Sequence, residues 1–131
     1  MELIYADTTY RLRKAIFAVY NTLGFGHKEE VYQKALAKEF TLLDISFSRE
    51  KTLQVMYKNE PVGAYRPDFI INDLIILELK AVDFMPKVFE TQLLHYLKST
   101  GFLLGLLVNF GGSKLYIKRV IWTNPDKSLS V

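Results

Sequence analysis

The chain has 131 residues, half of them apolar and a quarter charged, which suits one globular domain with a real core and rules out a disordered chain. It contains no cysteine, so disulfides, thiolate catalysis, zinc fingers and iron–sulfur ligation are excluded, and the absence fits a reducing cytoplasm. The formal charge is +3, a slight bias toward a polyanionic partner.

Residues 1–10 hold two acids and no long apolar run, which argues against a signal peptide. Asp7 or Thr8 is suited to cap a first helix that runs to about Leu23, with Leu12, Ala15, Ile16, Val19 and Leu23 at helical spacing. Gly24-Phe25-Gly26 breaks it. A second helix is expected from about Lys28 to Leu43, burying Tyr32, Leu36, Phe40 and Leu43. Phe47 to Tyr57 reads as a strand, Lys58 to Pro61 as a turn and Val62 to Ile71 as a second strand. Pro67 inside that strand marks an edge, a bulge or a strand end. Leu74 to Val82 is a third strand, and its apolar start predicts burial on both faces. A third helix follows over about Lys87 to Thr100, stopped by Gly101.

Phe102 to Phe110 is a very apolar strand, and Gly111-Gly112 turns the chain into a last one, Lys114 to Trp122. The apolar stretch from Gly101 to Phe110 is far short of the ~20 residues that a bilayer span needs, so no membrane association is expected. The tail from Asn124 to Val131 is polar and expected to be loose. The order α-α-β-β-β-α-β-β describes a mixed sheet with helices on its faces. The third helix is long enough to make the strands around it parallel neighbours. One domain, residues 1–131 with a core over about 9–122, accounts for the chain.

The chemistry concentrates in Leu77-Glu78-Leu79-Lys80. Glu78 and Lys80 leave the same face of a strand that is otherwise apolar, which is costly unless they are paired or bound to a metal. For these two residues alone, an ion pair at a strand end is a sufficient explanation. Asp68 adds a carboxylate on the neighbouring strand, and oxygen ligands of this kind suit magnesium or manganese. Register decides the matter. A two-residue turn at Asn72-Asp73 would put Asp68 and Glu78 on opposite faces, whereas a three-residue loop, Asn72 to Leu74, pairs Ile71 with Ile75 and so Asp68 with Glu78. The odd-length loop is the expectation.

Glu29 opens the second helix on the Tyr32–Leu36 stripe, where a carboxylate serves either the helix dipole or a site. Gln92 lies inside the apolar stripe of the third helix, so a buried amide in need of a partner is expected there. His27 precedes Glu29 and could reach the same cleft, and His95 lies off the Gln92 stripe; neither has a serine or cysteine at a suggestive spacing.

Pro67-Asp68, nine further residues, then Glu78-Leu79-Lys80 resembles the PD-(D/E)XK motif of a large nuclease superfamily. Gly26-His27-Lys28-Glu29-Glu30-Val31-Tyr32 fits G-x-x-E-x-x-Y. Tyr65 to Asp68, Glu78 to Val82, Gln92 to Leu97 and Leu106 to Gly111 fit the remaining blocks of the GxxExxY proteins, small prokaryotic members of that superfamily. The resemblance spans about Thr9 to Val120. It implies a restriction-endonuclease-like α-β-β-β-α-β core in the α/β class, which matches the order read above. It also implies a catalytic set of Glu29, Asp68, Glu78, Lys80 and Gln92, with Asp68, Glu78 and Glu29 on Mg2+ or Mn2+ and Lys80 orienting or activating the attacking water.

The leading expectation is therefore a cytoplasmic, metal-dependent nuclease, with DNA favoured over RNA as substrate. The alternative is a nuclease-fold module of little or no turnover that binds nucleic acid or a protein partner. Specificity would then come from a partner, from nucleic-acid structure or from a homodimer, for which Gly105 and its apolar strand leave room.

Overall fold

The computed structural model describes residues 4–123, so the tail from Asn124 lies outside the described residues. Helices α1 (Ala6–Leu23) and α2 (Glu29–Leu42) form where the helical spacing predicts them. Leu12, Ala15, Ile16 and Val19 of α1 are buried, as are Tyr32, Leu36 and Phe40 of α2. The apolar stripe of α2 stops short of Leu43, which is 36% exposed. Neither Asp7 nor Thr8 caps α1. The cap is Tyr5, at φ 54°, and Thr9 Oγ1 donates to its carbonyl at 2.6 Å.

The two long strands expected next each break into two. Phe47–Arg49 (β1) and Leu53–Tyr57 (β2) are separated at Glu50, whose φ of 51° ends the extended run. Glu60–Tyr65 (β3) and Phe69–Ile71 (β4) are separated at Arg66-Pro67, where proline has no N–H for a ladder. Both breaks fall at the level of the Arg49–Phe69 pair, so the chain leaves the main sheet and returns to it at one place. Between them β2 and β3 form a separate two-stranded ribbon around a tight turn at Lys58-Asn59, both left-handed. Leu53 and Val55 of the ribbon pack beneath the third helix.

The main sheet continues with β5 (Ile75–Lys80), and helix α3 (Val88–Thr100) then crosses over to β6 (Leu104–Asn109) and β7 (Tyr116–Ile121). Its order is β1-β4-β5-β6-β7, with β5 and β6 parallel across the α3 crossover, as the sequence predicts. Alternation assigns the faces. Ile75, Leu77 and Leu79 join the core under α1 and α2, whereas Ile76 faces Leu93 and Leu97 of α3 and Tyr65 of the ribbon. Glu78 and Lys80, in step with Ile76, belong to the α3 side.

The room expected for a dimer at Gly105 is taken within the chain. Every residue of β6 is buried, and a Cβ at Gly105 would lie 3.0 Å from a Leu93 methyl. Glycine there lets α3 settle onto the sheet.

Candidate functional site

The site is built by the loop between β4 and β5. Asn72 and Asp73 are both left-handed, at φ 57° and 56°, and the Leu74 N–H donates to the Ile71 carbonyl at 2.9 Å. Leu74 is then an extra residue, because the ladder resumes with Ile71 opposite Ile75. The loop therefore spans three residues, and the regular pairing ends at Phe69–Leu77. One step further, Asp68 and Glu78 face each other across the ends of the two strands. The backbone N–H of Asp68 donates to Glu78 Oε1 at 2.9 Å, and that of Leu79 donates to Asp68 Oδ2 at 2.7 Å.

Helix α2 brings two more groups to this place. Gly24 and Gly26 take positive φ values of 72° and 101°, which side chains rarely adopt, and so turn the chain between the helices. Tyr32 fastens that turn: its hydroxyl donates to the Gly24 carbonyl at 2.6 Å while its ring stacks on Phe110, centroids 4.3 Å apart. The glycine and the tyrosine of the G-x-x-E-x-x-Y pattern thus aim the start of α2. Glu29, in the first helical turn, feels the charges of both Asp68 and Lys80. Gln33, one turn further on, donates from Nε2 to Asp68 Oδ1 at 2.6 Å.

Lys80 rests its Nζ over the Phe89 ring, 4.3 Å from the centroid, and its charge reaches all three acids. Beyond it, Asn109 pins the end of β6 to the segment that follows. Its Oδ1 accepts from the N–H groups of Val82 and Gly111, and its Nδ2 donates to the Val82 carbonyl. Gly111 passes so close that a Cβ there would sit 2.2 Å from the Val82 nitrogen.

The electrostatics record crowding of like charges in a desolvated place. Burial pushes the Glu78 carboxyl up to about 7, with the Asp68 charge adding to the rise and Lys80 opposing it. Glu29 is raised by burial and then by Asp68. Asp68 is raised by burial, against the lowering effect of its bonds from Leu79 and Gln33. The fourth member is a phenol. Tyr65, at the end of β3, is 6% exposed and stacks flat on Tyr96, with ring centroids 3.7 Å apart. Burial and then the Glu78 charge drive its pKa far up, so it keeps its proton.

Glu29, Asp68, Glu78 and Lys80 are brought together as the sequence predicts. Gln92 is not. It is exposed, because the fully buried stripe of α3 is only Leu93 and Leu97, and Gln92 makes no hydrogen bond among the described residues. The amide at the site is Gln33, whose i, i+4 spacing from Glu29 is the signal that would have found it. Tyr65 and Asn109 lie in the blocks Tyr65 to Asp68 and Leu106 to Gly111, but no local spacing singled them out, since their partners Glu78 and Val82 lie 13 and 27 residues away in sequence. His27 serves the turn, its Nε2 3.1 Å from the Leu23 carbonyl, and His95 is exposed.

Among the described residues no three acids or histidines already stand in a ligating arrangement. The donor chemistry nonetheless fits a hard divalent cation. Asp68 and Glu78 offer carboxylate oxygens in one place, and the upward pKa shifts of all three acids, caused first by burial and for Glu29 and Glu78 then by the Asp68 charge, mark a cost of holding negative charge that a cation would relieve. Asp68, Glu78 and Glu29 are the residues that would hold it. The site lies at the carboxyl ends of the parallel strands, the usual place for ligands in open α/β sheets. A hollow of about 250 Å3 lined by Asp73, Leu74 and Gly101 to Leu103 lies at the other end.

The comparisons with known proteins bear on the same residues. No curated protein sequence matches the chain. The crystal structure of SSO0001 aligns over 98% of this chain and 82% of its own, at 13% identity and a TM-score of 0.48, a likeness too loose to bear on function. Residues 6–120, which include the whole β4–β5 site, α2 and α3, match the PD-(D/E)XK nuclease superfamily, and the chain belongs to that superfamily.

Proposed function

We propose that this protein hydrolyses phosphodiester bonds in nucleic acid, DNA in the first place, with Mg2+ or Mn2+ held by Asp68, Glu78 and Glu29. The observation that carries the reading is the Asp68–Glu78 pair, two half-buried carboxylates locked together by backbone N–H bonds with the Lys80 charge beside them. Superfamily membership supports it. Within the superfamily, the G-x-x-E-x-x-Y segment from Gly26 to Tyr32 supports placement among the GxxExxY proteins. The lack of cysteine fits a cytoplasmic setting.

A bound divalent cation supplies an acidified water and charge relief at phosphorus. The chain's own groups do the rest. Lys80 places a fixed positive charge where negative charge develops on the phosphate, and it orients the attacking water. Gln33 holds Asp68 through Oδ1, leaving the carboxylate one orientation. The Asn109 latch fixes the backbone just past Lys80.

Cleavage of labelled DNA and RNA in Mg2+ or Mn2+ tests the reading. Wild type is expected to cut, with Asp68→Ala and Lys80→Ala slower by on the order of a hundredfold or more. Equal rates for all three would indicate a contaminating nuclease and overturn the proposal. The second reading is a binding module of low turnover, favoured by the seat of Lys80 Nζ on the Phe89 ring. It predicts retained nucleic-acid binding without cleavage in wild type.

A further inference from the structure

Tyr65 carries an unmet need. Its side chain is 6% exposed, and among the described residues its hydroxyl meets no acceptor in full hydrogen-bond geometry, although the Glu78 carboxylate lies close enough for the two to interact. A buried hydroxyl left without a partner is destabilising, and such groups are rare unless a ligand or a moving partner completes them. The ring cannot turn away. It is sandwiched by its flat stack on Tyr96 and lies in the apolar cluster with Ile76, Leu93, Leu97 and Leu107. The carboxylates whose charges it feels are those of Glu78, the stronger influence, and Asp68. Glu78 accepts the Asp68 N–H through Oε1, and the side-chain donor beside its carboxylate is the Tyr65 hydroxyl. A buried donor and a carboxylate acceptor thus stand side by side, interacting but short of a well-formed hydrogen bond. Phenylalanine would supply the same stack and the same apolar contacts, so packing does not account for the hydroxyl.

We propose that Tyr65 is a positioning residue for the cation site: its hydroxyl donates to Glu78 and fixes the orientation in which that carboxylate meets a divalent cation. This inference rests on the metal-site reading of Asp68 and Glu78. A carboxylate with one anchored oxygen still rotates about its last bonds. A donor on the other side removes that freedom and leaves the remaining lone pairs to the metal. Groups that orient a metal-binding side chain in this way are commonly worth ten- to a hundredfold in affinity. The ribbon of β2 and β3 thereby gains a purpose at the site, because its last residue delivers the hydroxyl from the α3 side while Gln33 holds Asp68 from α2.

The experiment is Mn2+ binding to the full chain, followed by the loss of the free-ion electron paramagnetic signal, alongside thermal unfolding without metal. Wild type, Tyr65→Phe, Tyr96→Phe and Asp68→Asn are compared. Tyr65→Phe is expected to bind Mn2+ about tenfold or more weakly than wild type, while its metal-free melting temperature is unchanged or higher, since an unsatisfied hydroxyl has been removed. Tyr96→Phe, which keeps the stack, should bind as wild type does. A structural role for the hydroxyl would show the reverse, a lowered melting temperature with unaltered Mn2+ affinity, and would overturn the inference. If wild type and Asp68→Asn bind Mn2+ equally poorly, the metal-site reading itself falls and this inference with it. If wild type binds well and Tyr65→Phe equally well, only the role of Tyr65 is refuted.

Discussion

Glu78 is held in a conflict that the rest of its strand does not share. It sits one step past the apolar run Ile75 to Leu77, where burial and the neighbouring Asp68 charge both favour its neutral form. Its folded-state pKa of about 7 lies above the ordinary 4.5 of an unfolded chain. The folded protein therefore binds more protons between those values, and stability from this group is present below about 4.5 and lost as pH rises through about 7. Without divalent cations, denaturant midpoints should fall across that window, and Glu78→Gln should flatten the fall; an equally steep decline in the variant would show that other groups cause it. The same linkage makes cation binding release a proton, so affinity for Mn2+ should weaken as pH drops below about 7. Gln33 belongs to this scale too. Gln33→Ala leaves Asp68 Oδ1 unheld and should cost about tenfold in Mn2+ affinity by titration, with little change in helix content by circular dichroism.

At the scale of the elements, two short segments carry the geometry. The first is the β4–β5 loop, where Asn72 and Asp73 both accept a left-handed backbone. Asp73→Gly relieves that strain in a tight turn and should stabilise the protein by about 0.5–1 kcal/mol in urea unfolding. Unchanged or lower stability would mean that the aspartate side chain contributes more than its backbone strain costs. The second is the Asn109 latch. Asn109→Leu strands the N–H and carbonyl of Val82 and the N–H of Gly111, and should destabilise the chain by on the order of 3 kcal/mol. Gly111→Ala should be at least as harmful, because its Cβ would collide with backbone rather than with a yielding side chain.

The whole molecule is a sheet held between unlike layers, with α1 and α2 on one face and α3 with the ribbon on the other. The acids collect groups from both sides of that sheet: Glu29 and Gln33 come from α2, while Phe89 and Tyr65 come from the α3 side. Cation binding should therefore steady the entire fold. Mg2+ or Mn2+ at about a hundred times its dissociation constant should add roughly 2.7 kcal/mol to unfolding stability. That increment should vanish in Asp68→Asn, as differential scanning calorimetry would show. A melting temperature that rises equally in the variant would place the ion elsewhere. Among the described residues no helix is long and apolar enough to cross a membrane.

Much of this was written locally. Helix positions follow from the period of Leu12 to Val19 and of Tyr32 to Phe40, because amphipathic spacing needs no knowledge of the partner face. The burial of β5 follows from its apolar run, and the pairing of Asp68 with Glu78 from counting an odd loop, because side chains alternate strictly along a strand. What the sequence could not determine are the contacts made at a distance. The two expected long strands became four because the chain had to leave the sheet to place a ribbon under α3, a demand set by packing rather than by propensity. Gln33 shares a helix face with Glu29 through its i, i+4 spacing, but that it touches Asp68, and that Gln92 meets solvent, was fixed by how α2 and α3 lie against the sheet. Tyr65 reads as an ordinary strand aromatic until the fold sets its hydroxyl beside Glu78, since burial and the direction of a side chain belong to the assembled layers and not to any one segment.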